Sequence, residues 1–128
     1  MTIDLTRTPS FRLDGKRALV SGAGRGLGLT AAAALADAGA HVTLAARTAK
    51  EIEEAADAIR TRGQKADALT LDVTDIAAVR KALAARAPYQ VLVNNAGTNR
   101  PKMFVDVTIE DFDAIMGLNV RAAYFVAQ

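Results

Sequence analysis

The chain contains no cysteine, which excludes disulfides, thiol nucleophiles and thiolate metal sites and fits a reducing compartment. A cytoplasmic location is therefore expected. Its single histidine, His41, has no companions at metal-ligand spacing, so it is read as a partly buried structural residue and no metal site is expected. No run reaches the ~18 apolar residues of a membrane span, and residues 1–14 carry charges and Pro9 in place of a signal-peptide core. A one-sided charge is missing too. The net charge is +2 with acids and bases interleaved, whereas a nucleic-acid surface gathers its basic residues on one face. Neither a membrane nor a nucleic acid is an expected partner.

What is present points to an ordered α/β domain. Half of the 128 residues are apolar, and the chain is too short for two independent domains. Residues 1–13 read as a polar arm with one apolar contact at Phe11, and Asp14-Gly15-Lys16 as a turn, so the domain is placed at 14–128. From Arg17 the pattern alternates. Strands are expected at Arg17 to Val20, His41 to Ala46, Ala66 to Leu71 and Gln90 to Asn94. Helices are expected from Leu27 to Ala38, Thr48 to Arg62, Asp75 to Ala85 and from about Thr108. Gly39 and Gly63 fall where helices should stop, Thr48 and Thr74 are candidate N-caps, and Thr108 with Asp111 forms a weaker relative of the capping box. Val91-Leu92-Val93 is apolar on both faces, as in a parallel strand covered by helices on both sides. The expected fold is a doubly wound, Rossmann-type parallel sheet of order 3-2-1-4 in an αβα sandwich. The last helix stays apolar up to Gln128 without a glycine cap, proline or polar tail. The expectation is a domain cut within its fourth long helix.

The segment Ser21-Gly22-Ala23-Gly24-Arg25-Gly26-Leu27-Gly28 lies between the first strand and the first helix. Gly22 permits the tight turn, Gly26 lets backbone approach a pyrophosphate, and Gly28 lets the helix pack closely. The helix N-terminus then offers unpaired N–H groups and a positive dipole end to the anion. A bare glycine pattern could equally be a strand-to-helix turn, so its company matters.

That company is Asp72 after the third strand, Asn94-Asn95-Ala96-Gly97 after the fourth, and Asn119 inside the following helix. Together these resemble the short-chain dehydrogenase/reductase family from Phe11 to Gln128, with Ser21 where the family has threonine. The resemblance implies that Asp72 bonds the adenine amino group, Val73 lies beside the ring, and Asn94 and Ala96, with Gly97, run along the ribose side. It implies that Ser21 bonds the loop backbone through its hydroxyl. It also implies that Asn119 is the asparagine of an Asn-Ser-Tyr-Lys catalytic set. The serine and the Tyr-x-x-x-Lys pair are not in this sequence, since Tyr89 is followed four residues on by Val93 and Tyr124 by Gln128.

At the end of the second strand, Ala45-Ala46-Arg47 carries no acid to repel a 2′-phosphate, and Arg47 can clamp one, with Arg25 approaching from the other side. NADP(H) is expected over NAD(H). Arg47 could instead pair with Glu51 at helical spacing. The implied activity is interconversion of an alcohol and a carbonyl by hydride transfer, in a complete protein that is a homo-oligomer, with this chain alone inactive. The substrate is a small molecule. Thr98-Asn99-Arg100-Pro101-Lys102 is similar to members acting on gluconate-like sugar acids and polyols, and the glycine loop to 3-oxoacyl-thioester reductases. A noncatalytic dinucleotide-binding or redox-sensing module is the alternative, and an adenosyl-dependent methyltransferase a more distant one.

Overall fold

A computed structural model describes residues 1–128. Four parallel strands, β1 (Arg17–Ser21), β2 (His41–Ala46), β3 (Lys65–Thr70) and β4 (Val91–Val93), form one sheet in the order β3-β2-β1-β4. The expected order is borne out. Val20 sits opposite Leu44 on one side and Val93 on the other, which fixes the register at the strand ends where the loops meet.

Helices cover both faces because successive strand residues point to opposite sides. On one face Ala18, Val20, Val42 and Leu44 pack against α1 (Gly26–Asp37) and α2 (Ala49–Thr61). Helix α2 buries Ile52, Ala55, Ala56 and Ile59, an apolar stripe at helical spacing, and exposes its charged residues. Helix α1 buries only Gly28, Ala32 and Ala36, small residues that bring its axis close to the sheet. On the other face Leu19, Ala45 and Leu71 meet Val79 of α3 (Ile76–Ala84) and Ala122 and Val126 of the C-terminal helical segment. Leu92 is left 37% exposed and Val91 and Val93 are half-buried, so the expected full burial of β4 on both faces does not hold. As the edge strand, it pairs with β1 alone.

Local chemistry shifted several boundaries. Asp75, rather than Thr74, caps α3, its carboxylate accepting the Ala78 N–H at 3.0 Å. Thr74 is instead used by Asp72, which accepts both its N–H and its hydroxyl. Thr48 occupies the N-cap position of α2 without a side-chain bond. Thr108 and Asp111 make a complete capping box for α4 (Ile109–Met116). The helix does not run on uniformly: Gly117–Ala122 widens into a π-helical turn before α5 (Ala123–Ala127). Phe11 is exposed and makes no apolar contact of the kind expected, while Leu13 packs against the core of β1 and β2.

His41 is half-buried, as expected, with its Nε2 2.9 Å from Asp67 Oδ1. Asp67 also accepts the Thr43 hydroxyl at 2.8 Å and Arg86 Nη1 at 2.6 Å. Burial pushes its carboxyl up, but the Arg86 and Thr43 hydrogen bonds outweigh that and hold it below the usual carboxylate range.

Candidate functional site

A cleft of about 470 Å³ opens over the C-terminal ends of the strands. Its floor is the loop between β1 and α1. Gly22 and Gly26 adopt φ of +63° and +57°, a left-handed backbone that a side chain disfavours. A Cβ on Gly28 would run into the Gly22 carbonyl oxygen and Asn95 Nδ2, so the third glycine allows α1 to seat against the loop. Helix α1 begins at Gly26 with Arg25 at the N-cap in extended backbone, with no side-chain cap and no acid in its first turn. Its first N–H groups and the positive end of its dipole have no counter-group, which is the chemistry of an anion site.

The Asn94–Gly97 segment forms the wall beside that loop. Asn95 Nδ2 donates to the carbonyl oxygens of Ser21 (3.1 Å) and Gly22 (3.0 Å), closing the segment onto the glycine loop. Ser21 is 2% exposed, and its hydroxyl accepts the N–H groups of Asn95 and Ala96, so it serves the neighbouring loop and not the glycine loop as expected. Asn94 turns away and donates to the Ala123 carbonyl at 3.0 Å, bracing the C-terminal helix.

The rim is charged. Arg25, Arg47, Glu51 and Asp72 all border the cleft, with Leu71, Val73, Ala45 and Ala46 as apolar wall. The Thr74 hydroxyl, then its N–H, and more weakly the charge of Arg47 hold the Asp72 carboxyl below the usual range, so it is an anion at neutral pH. Arg47 makes no ion pair with Glu51, although the two are four residues apart. A dinucleotide suits this chemistry: loop backbone without side chains and an uncapped helix end for phosphates, an apolar wall for a ring, and two guanidinium groups for a further anion.

Asn119 lies in the π-helical turn beside Leu118, which lines the cleft. Its Oδ1 accepts the Thr98 N–H and its Nδ2 donates to the Thr98 carbonyl, both at 2.8 Å. The side chain is thus spent on fixing the start of the loop after β4. The far end of that loop is fixed by Asp111, which accepts from Lys102 at 2.5 Å and from Thr108, and whose carboxyl is driven well below the usual range chiefly by Lys102.

Of the residues expected to bind a cofactor, Gly22, Gly24, Arg25, Gly26, Leu27, Arg47, Asp72, Val73, Ala96 and Gly97 line the cleft. Ser21, Gly28 and Asn94 stand behind it as supports. Ala45, Ala46, Thr48, Glu51, Leu71, Thr74, Asn95 and Leu118 border the cleft without having been expected to bind there. The pattern of α2 offers one signal for Glu51, since Ile52 and Ala55 face the core and place Glu51 on the flank toward the loop.

The family described as short chain dehydrogenase matches residues 16–128. Gluconate 5-dehydrogenase of Gluconobacter oxydans is 42% identical over 122 residues, 92% of this chain and 48% of that protein. The crystal structure of a gluconate 5-dehydrogenase from Burkholderia cenocepacia in complex with NADP and tartrate superposes with a TM-score of 0.83 at 38% identity, over 92% of this chain and 48% of that one. A 3-oxoacyl (acyl-carrier-protein) reductase from Agrobacterium tumefaciens with NADP bound gives 0.84 at 30% identity, over 92% and 47%. The chain spans about half the length of the curated relatives it matches.

Proposed function

This chain belongs to the short-chain dehydrogenase family, and from that premise we propose that it is the nucleotide-binding part of an oxidoreductase interconverting an alcohol and a carbonyl, with NADP(H) preferred over NAD(H). The observation that carries the reading is the uncapped N-terminus of α1 behind the glycine loop, flanked by Arg25 and Arg47 on one rim. Gly22, Gly24, Gly26 and Leu27 receive the pyrophosphate, Arg47 and Arg25 the 2′-phosphate, and Asp72 and Val73 the adenine. Ala96 and Gly97 border the ribose, while Ser21, Gly28 and Asn94 hold these segments in place. The nicotinamide, when bound, supplies hydride transfer. Asn119 acts by fixing Thr98 and with it the loop that approaches the substrate.

The absence of an acid at the end of β2 supports the cofactor preference, as do relatives crystallised with NADP. A small polyol, sugar acid or 3-oxoacyl thioester is the substrate class, in a cytoplasmic homo-oligomer. No Tyr-x-x-x-Lys pair occurs in these 128 residues. Proton transfer from a positioned group contributes ~10²–10⁴-fold, so this chain alone binds nucleotide without turning over carbonyls.

Calorimetric titration tests the proposal. NADP⁺ should bind more tightly than NAD⁺, and Arg47→Asp should reverse the order, the loss of a charge-assisted bond being worth ~1.5–3 kcal/mol. Equal affinities in the unsubstituted chain would sink the preference.

A further inference from the structure

Three charged groups that border the cleft, Arg25, Arg47 and Glu51, make no ion pair, and Glu51 is the acid among them. Glu51 is exposed in the first turn of α2 and borders the cleft beside Thr48 and Gly24. Its neighbour Lys50 pairs with Glu54 instead, at 3.9 Å. Neither Arg47 nor Arg25 forms an ion pair with it. The Glu51 side chain packs on the glycine loop: a Cβ built on Gly24 would lie 2.9 Å from its Oε2 and 3.1 Å from its Cβ. The carboxylate therefore sits next to the residue preceding Arg25, four residues beyond Arg47 in the sequence.

Accepting the nucleotide reading of this cleft, on which the step rests, we infer that Glu51 limits cofactor discrimination. Its carboxylate repels a 2′-phosphate drawn in by Arg25 and Arg47, and accepts a hydrogen bond from the 2′-hydroxyl of a nucleotide that lacks the phosphate. The end of β2 has no acid, but the fold returns one to the same rim from α2. The two arginines and Glu51 then act in opposite senses on one ligand position, which leaves NAD(H) a usable second cofactor. A favourable contact with the α2 dipole accounts for Glu51 as a helix former. It does not account for the seat of the carboxylate against Gly24 of the glycine loop.

The test is calorimetric titration of the 128-residue chain with NADP⁺ and NAD⁺, comparing Glu51→Gln, Glu51→Lys and the control Glu54→Gln, which removes the same charge from the same helix outside the cleft rim. Glu51→Gln should raise the NADP⁺-to-NAD⁺ affinity ratio by about tenfold at low salt, with a smaller rise at 0.5 M salt, where the screening length falls to roughly 4 Å. Glu51→Lys should raise it further and Glu54→Gln should leave it unchanged. A role confined to the helix dipole would lower the thermal midpoint of Glu51→Gln and leave the ratio alone, which overturns the inference. An equal rise in affinity for both nucleotides overturns it as well. If NADP⁺ binding keeps its dependence on Arg47 while the ratio stays within about twofold in Glu51→Gln, this inference alone falls. If neither nucleotide binds the unsubstituted chain, the nucleotide reading falls and takes the inference with it.

Discussion

Asn95 donates to Ser21 twice: its backbone N–H to the Ser21 hydroxyl at 3.1 Å, and its Nδ2 to the Ser21 carbonyl at 3.1 Å. The pair joins the end of β1 to the segment after β4 across 74 residues of sequence. It sets the width of the cleft between the glycine loop and the Asn94–Gly97 wall.

Ser21→Ala removes the shared acceptor of two backbone N–H groups, those of Asn95 and Ala96. With Ser21 only 2% exposed, water cannot readily replace the hydroxyl. The expected loss of stability is ~1–3 kcal/mol, the cost of leaving buried donors unmade. Urea unfolding at neutral pH measures it. A change below about 0.3 kcal/mol would mean that the two donors find other partners.

Two glycine substitutions should act with opposite signs. In Gly28→Ala the new methyl meets the Gly22 carbonyl oxygen and Asn95 Nδ2. Relief requires α1 to lift from the loop, at a cost of ~1–3 kcal/mol or more for an overpacked site. Gly117 has helical dihedrals, φ −61° and ψ −41°, and a Cβ there would meet nothing within 4 Å. Gly117→Ala should stabilise by ~0.4–1 kcal/mol through the unfolded chain. Thermal midpoints of the two variants should therefore fall on either side of the parent. A shared direction would contradict the packing described for α1.

Much of this was legible in the sequence because the signals were local. The run His41 to Ala46 between glycine-punctuated helices is a buried parallel strand by composition, and the right-handed crossover rule then leaves few strand orders. Contacts distant in sequence were not legible. Nothing near Ser21 announces that its hydroxyl serves Asn95 and Ala96, since that depends on β1 and β4 being neighbours in space. Arg47 and Glu51 have the spacing of a helical ion pair, but α2 starts at Ala49, so Arg47 is off the helix and the spacing rule does not apply. Thr74 has the right chemistry for a cap, yet Asp72 takes both its donors and the next residue does the capping. The π-helical turn at Gly117–Ala122 has no compositional mark beyond Asn119, an asparagine among apolar neighbours.

Midway along β3, Asp67 anchors a polar network whose pH response has a defined sign. Its carboxylate faces Arg86 Nη1 at 2.6 Å, the Thr43 hydroxyl at 2.8 Å and His41 Nε2 at 2.9 Å, and the Tyr89 hydroxyl donates to Thr43 at 3.0 Å. Because the folded carboxyl titrates below its unfolded value of about 3.9, the stability it contributes is fully present above that value and is lost as the pH falls through the lower folded value. Asp67→Asn keeps the shape and removes the charge, leaving Arg86 without its anion. A fully buried pair broken this way costs ~3–5 kcal/mol. The side chains of Asp67 and Arg86 are 32% and 25% exposed, and screening by solvent reduces the expected cost at pH 7 to about 1–3 kcal/mol. Below about pH 3.9 the unfolded carboxyl takes up its proton before the folded one does, so the gap between the two proteins should narrow toward acid. Urea unfolding of both at pH 7 and pH 3 reads this directly. An identical gap at the two pH values would show that Asp67 contributes through its shape and neutral hydrogen bonds, and that the Arg86 pairing adds nothing to the fold.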